Sequence, residues 1–142
     1  MADAKLGTTA RPDARPLSPH LFIFRPYINM VMSIFHRITG AANYFGSLLL
    51  AIWLMSAAAG ETEFNQVSAA LASIPGLIIL FGFTWSVMHH MLGGVRHMIW
   101  DTGHGFEIGT VKTLSYFTLL GSLGLTAAIW AVVLAQKGVL NG

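Results

Sequence analysis

The 142-residue chain has no cysteine. That excludes disulfides, zinc ribbons, thiolate-held clusters and covalent c-type haem attachment, so any bound metal or cofactor must rely on His, Met, carboxylates or packing. Charge is the second scarcity. Charged residues make up 10% of the chain against 54% hydrophobic, with a mean hydropathy of +0.63. So few charges cannot cover a water-soluble fold of this size, and a net charge of +2 offers no surface for nucleic acid. The first fifteen residues lack an apolar core, so no cleavable signal peptide is expected. Arg11, Pro12, Arg15 and Pro16 read as part of a flexible arm over residues 1–27, with a mitochondrial presequence as the alternative.

Three stretches contain no charged side chain: residues 38–60, 64–95 and 113–136. About 20 helical residues cross a hydrocarbon layer of about 30 Å, so each stretch supports one crossing. The middle one is too long for one straight crossing and too short for two. Pro75-Gly76 supplies its break, and residues 64–73 then form an amphipathic lead-in. The reading is an all-α integral membrane protein with a three-helix domain over 28–137 and spans of about 28–58, 74–100 and 111–136. Lys5, Arg11, Arg15, Arg25, Arg37, Arg96 and Lys112 fall on one side of these spans, and Lys137 alone on the other. The bias places the N-terminus and the 101–112 loop in the cytoplasm or matrix.

Ionisable groups inside a bilayer need a partner or a purpose. Here they occupy two helices near one membrane face, while the third span has none. Ser33 and Arg37 are four residues apart and share a helix face. A hydroxyl beside a guanidinium suits the carbonyl of a quinone, which gains negative charge as electrons arrive. The alternative is that Arg37 reaches lipid phosphates while Ser33 bonds its own helix. His90 and His97 are two turns apart on one face, with Gly93 and Gly94 a turn from His90. The missing side chains suggest a flat slot for a porphyrin, with His90 as axial ligand and with Arg96 and His97 at the surface near the propionates. The alternative is a His90 hydrogen bond to a neighbouring helix, the glycines serving close packing. His89 points about 100° away from His90. No other span offers a histidine at matching depth, so a second ligand must come from another chain.

The strings Arg15-Pro-Leu-Ser-Pro-His-Leu21, Ser33-Ile-Phe-His-Arg-Ile-Thr-Gly40 and His90-Met-Leu-Gly-Gly-Val-Arg-His-Met-Ile-Trp-Asp101, with Gly103, resemble the cytochrome b membrane-anchor subunit of succinate dehydrogenase, respiratory complex II. The resemblance covers roughly residues 15 to 135. It implies a helical bundle built with a second anchor subunit, docked on a flavoprotein and an iron–sulfur subunit, in the bacterial inner membrane, or in the mitochondrial one. It further implies one shared haem b, bound on this chain by His90, with His36, Arg37 and His97 near the propionates. Ser33 and Arg37 would help form the ubiquinone pocket, and no residue of this chain would be catalytic by itself. His89 and Gly93 depart from the commoner pattern, and the spacing to His97 favours His90. The nearest rivals are the anchor of a fumarate reductase and a haem-free structural anchor.

Overall fold

The computed structural model describes residues 20–136, and every regular element in that range is helical. A single turn, α1 (His20–Ile23), precedes α2 (Ile28–Ala59), α3 (Glu61–Ala72), α4 (Ile74–Asp101) and α5 (Ile108–Gln136). The helices α2, α4 and α5 are each long and apolar enough to cross a membrane. The third span starts at Ile108, so Lys112 belongs to the second turn of α5 and not to a loop. Lys5, Arg11, Arg15 and Lys137, which contribute to the side assignment, lie outside the described residues, as does most of the 15–21 string.

The breaks between helices have local causes. Pro26 and the extended Tyr27 (φ −71°, ψ 152°) precede α2. Gly60 joins α2 to α3 at φ 149°, a conformation that side chains disfavour. Glu61 and Glu63 then occupy the first turn of α3, where the helix dipole favours negative charge. Ser73 caps α4 by accepting a hydrogen bond from Gly76 N at 3.3 Å, and Pro75 sits in the first turn, where no intrahelical N–H is required. At the other end of α4 the Trp100 indole donates to the Gly105 carbonyl at 3.1 Å and fixes the turn into α5.

The interior is polar and small, the exterior apolar. Among the described residues Met32 is the one buried large hydrophobe, whereas Thr39, Ser56, Ser86, Ser115, Thr118, Ser122 and Thr126 are all buried. Phe45, Leu54, Phe117 and Leu120 face outward. Lipid is as apolar as leucine, so small and hydrogen-bonding residues bring such helices together. Most of the buried hydroxyls bond carbonyls of their own helices, as Thr118 does to Leu114 O and Thr126 to Ser122 O, both at 2.8 Å.

Helices α2 and α4 run antiparallel, and their contacts step along the seam turn by turn. The backbone of Gly46 receives the Phe83 ring, which a side chain at that position would collide with. Next, Ser86 Oγ lies 2.8 Å from Asn43 Oδ1 and 3.0 Å from Thr39 O. One turn further, His90 lies over Gly40 and His36 over Gly93. Helix α5 packs on another face of α4, where Trp130 Nε1 donates to Thr84 Oγ1 at 3.3 Å. The cysteine-free background makes this register testable. Asn43→Cys with Ser86→Cys is expected to form a disulfide under mild oxidation, whereas Asn43→Cys paired with a cysteine at exposed Leu120 is not. Equal cross-linking of both pairs in a gel-shift assay would refute the packing.

Candidate functional site

Two imidazoles interlock in the seam between α2 and α4. The rings of His36 and His90 stack with centroids 4.0 Å apart and planes 1° from parallel. Against the expectation from sequence, α2 does supply a histidine at the depth of His90: the antiparallel register brings the start of α2 beside the later turns of α4. Glycine makes the room. A Cβ on Gly40 would come within 2.9 Å of His90 Cε1, and one on Gly93 would run into the His36 ring. His36 and Gly40 are four apart on α2, and His90 and Gly93 three apart on α4, so each helix offers the other one ring and one recess. Gly93 is thereby filled by His36 and forms no slot for a planar group, while a Cβ on Gly94 would meet nothing within 4 Å. His90 does bond a neighbouring helix, as the packing alternative required: its Nδ1 lies 3.0 Å from the His36 carbonyl.

That bond fixes more than position. A carbonyl only accepts, so the proton of the neutral His90 ring resides on Nδ1. Nε2 then keeps its lone pair and carries no hydrogen bond to any described residue. An imidazole with Nδ1–H held by a backbone carbonyl is the form in which histidine binds metals through Nε2. The same ring stack leads towards one end of the bundle, since His36 lies 5.0 Å from His97, measured between ring centroids.

At that end lies a cleft of about 420 Å³ bordered by Asn29, Ser33, Arg37, Arg96, His97 and Trp100. The structure therefore brings Ser33, Arg37 and His97 together, with His36 and His90 directly behind them. Asn29 and Arg96 were not singled out for this place by the sequence. The signal was available for Asn29, which precedes Ser33 and Arg37 at successive four-residue steps on the same face. The Ser33 hydroxyl stands apart from others on α2. Thr39, Ser47 and Ser56 return theirs to the carbonyls of Phe35, Tyr44 and Trp53 at 2.7–2.8 Å. Ser33 makes no hydrogen bond to any described residue, and its hydroxyl borders the cleft as a donor.

The other polar face of α4 turns to α5. His89 is fully buried there, with Nδ1 3.2 Å from Ser122 Oγ and its ring against Phe35 and Trp85. Its Nε2 is enclosed without a partner. Arg96 departs from the expected surface position: it is 2% exposed, donates through Nη1 to Ser115 Oγ at 3.4 Å, and lies 5.1 Å over the Trp100 ring. The reason is geometric. Arg96 is seven residues from His89, so both share the face that α5 covers with its serine and threonine stripe. The indole and the hydroxyl take the place of water around the charge.

Residues 11–129 match the family model described as the succinate dehydrogenase/fumarate reductase transmembrane subunit. The chain is 37% identical over 125 residues to the succinate dehydrogenase cytochrome b556 subunit of Paracoccus denitrificans, covering 88% of this chain and 92% of that protein. It is 34% identical over 116 residues to the subunit of the same name from Rickettsia prowazekii, covering 82% and 90%. The mitochondrial succinate dehydrogenase cytochrome b560 subunit of Sus scrofa is 34% identical over 139 residues, covering 86% and 82%.

The interlock has a direct test. Gly93→Leu should displace the His36 ring and Gly40→Leu the His90 ring, each lowering stability by about 1–3 kcal/mol as overpacking does. The half-aggregation temperature of the detergent-solubilised protein reads that loss. Gly94→Leu, at an open position, serves as the comparison and should leave the temperature nearly unchanged. Equal effects at all three sites would disprove the account.

Proposed function

The chain belongs to the succinate dehydrogenase/fumarate reductase transmembrane subunit family, and on that premise we propose that it is the haem-bearing anchor of a succinate:ubiquinone oxidoreductase. The relatives cited above are named as succinate dehydrogenase subunits, which favours succinate oxidation over the reverse reaction. The partners on this reading are a flavoprotein, an iron–sulfur subunit and a second anchor. The basic end of the bundle, with Arg25, Arg37, Arg96 and Lys112, faces the cytoplasm in a bacterial inner membrane.

The observation that carries the proposal is the position of His36. It stacks on His90 and, through His97, reaches the cleft that holds Ser33 and Arg37. A metal ligand and a polar cleft thus lie within one side chain of each other, which suits electron transfer to a substrate bound there.

The residues present fit a b-type haem. His90 presents an unspent Nε2 on a ring whose tautomer and tilt are set by the His36 carbonyl and ring. The bare backbone at Gly94 and the outward Met91, Val95 and Met98 leave the adjoining face of α4 open to a second subunit. His36, Arg37 and His97 supply cationic or donor groups at the end where acidic side chains of a porphyrin would need them. His90 would hold the haem from this chain, and the group would supply a one-electron store there.

At the cleft, the Ser33 hydroxyl donates a hydrogen bond to a quinone carbonyl and orients the ring. Arg37 and Arg96 place two fixed positive charges along the same wall, so negative charge arriving on the quinone oxygens is stabilised without reorganisation of water. Trp100 gives the cleft an apolar wall and holds Arg96 in place from its ring face. His97, exposed at the rim, is placed to pass protons from the aqueous side.

Two measurements test the reading in the purified complex. His90→Ala should abolish or shift the reduced-minus-oxidised b-type absorption band, whereas His89→Ala should retain it. An unaltered band in the His90 variant would remove that residue as ligand. Ser33→Ala or Arg37→Leu should slow quinone reduction by about a hundredfold to a thousandfold, as loss of one preorganised donor does. Succinate oxidation by an artificial dye acceptor should persist at its normal rate. Parallel loss of both activities would point to failed assembly and sink the quinone assignment.

A further inference from the structure

A second cleft lies on the far side of the first turn of α2, between it and the start of α5. It encloses about 560 Å³ and is bordered by Tyr27, Asn29, Ile108, Val111, Lys112 and Tyr116. Asn29 separates it from the cleft containing Ser33, since it borders both. Its chemistry differs. Among the described residues no carboxylate borders it, and the nearby Glu107 is engaged by the Thr110 hydroxyl at 3.0 Å. Among the described residues Lys112 pairs with no acidic group. The lysine, two phenols and an amide give a rim of donors around a floor of aliphatic side chains.

That floor continues into the bundle surface. Leu120 and Leu123 follow Tyr116 at four- and seven-residue steps, so all three share one face of α5, and all are exposed. The rim lies at the basic end of the bundle, and Tyr27 and Tyr116 are the side chains that settle at a membrane–water boundary. A small free anion would use the rim and leave the aliphatic track bare. A molecule with an anionic head and an alkyl tail uses both.

We propose that this cleft is a binding site for one anionic phospholipid, its phosphate held by Lys112 and the Tyr27 and Tyr116 hydroxyls and one acyl chain lying along Leu120 and Leu123. The bilayer supplies this occupant at the required depth, and the uncompensated lysine selects negative over zwitterionic heads. The site requires nothing of the His90 or Ser33 assignments, and its occupancy is measured without reference to either.

The experiment uses the intact membrane complex isolated in mild detergent from membranes containing phosphatidylglycerol and phosphatidylethanolamine. Phospholipid retained after extended washing is extracted and quantified per chain by mass spectrometry. The wild-type complex should keep one phosphatidylglycerol per copy, and Lys112→Gln should reduce this about fivefold, the effect of removing one cation from a headgroup site. Tyr116→Phe should lower retention in the same direction, and Glu61→Gln, at the opposite end of the bundle, should not. Washing with inorganic phosphate should leave the lipid in place. Retention unchanged in Lys112→Gln, displacement by inorganic phosphate, or a cross-link from a photoreactive residue at position 116 to another subunit in place of lipid would each overturn the proposal.

Discussion

The exchange of a histidine for a glycine across one helix pair is the constraint on which the candidate site depends. His36 fits over Gly93 and His90 over Gly40, and the two rings stack on each other. Two rings stacked at 4.0 Å hold the backbones of α2 and α4 at a single separation and register. Once that register is set, Ser33, one turn before His36, is brought towards His97, one turn beyond Gly93, because the two helices run in opposite directions, and Arg37 and Arg96 border the same cleft. The cleft is therefore a geometric consequence of the ring stack. Both contacts that orient the His90 ring, a stacked ring and a carbonyl acceptor, come from His36.

The polar groups of the bundle fall into two classes by how they are satisfied. Most buried hydroxyls bond a carbonyl in the preceding turn of their own helix and ask nothing of a neighbour. The others depend on a second helix: Ser86 on Asn43 and Thr39, His89 on Ser122, Arg96 on Ser115 and His90 on His36. The dependent groups centre on α4. A helix carrying two adjacent histidines and a buried arginine is stable in an apolar medium only with helices on both of its polar faces.

Much of this was legible in the sequence. Gaps in the charge pattern pointed to three long apolar helices, the number present among the described residues, since a charge excluded from lipid leaves a visible interval. The spacings of Ser33 with Arg37 and of His90 with His97 placed those pairs on common faces correctly, because a helix converts spacing into direction. What spacing does not reveal is which neighbour a face meets. Gly93 looked like space for a flat ligand, yet its vacancy is used by His36 from another helix. Arg96 looked superficial from its position near the helix end, but direction outweighed depth, and α5 covers it. The serine and threonine stripe of α5 showed no obvious purpose in sequence until Arg96 and His89 were found against it.

The self-contained hydroxyls of α5 bear on how the chain is built. A segment whose backbone and buried hydroxyls are bonded within the helix can partition into lipid with little penalty awaiting relief from a companion. Helix α4 lacks that independence. Arg96, His89 and His90 acquire their interhelical hydrogen bonds only after α2 and α5 have closed around α4, so lateral assembly of the three segments, and not their insertion one by one, is the step at which α4 becomes a settled resident of the membrane.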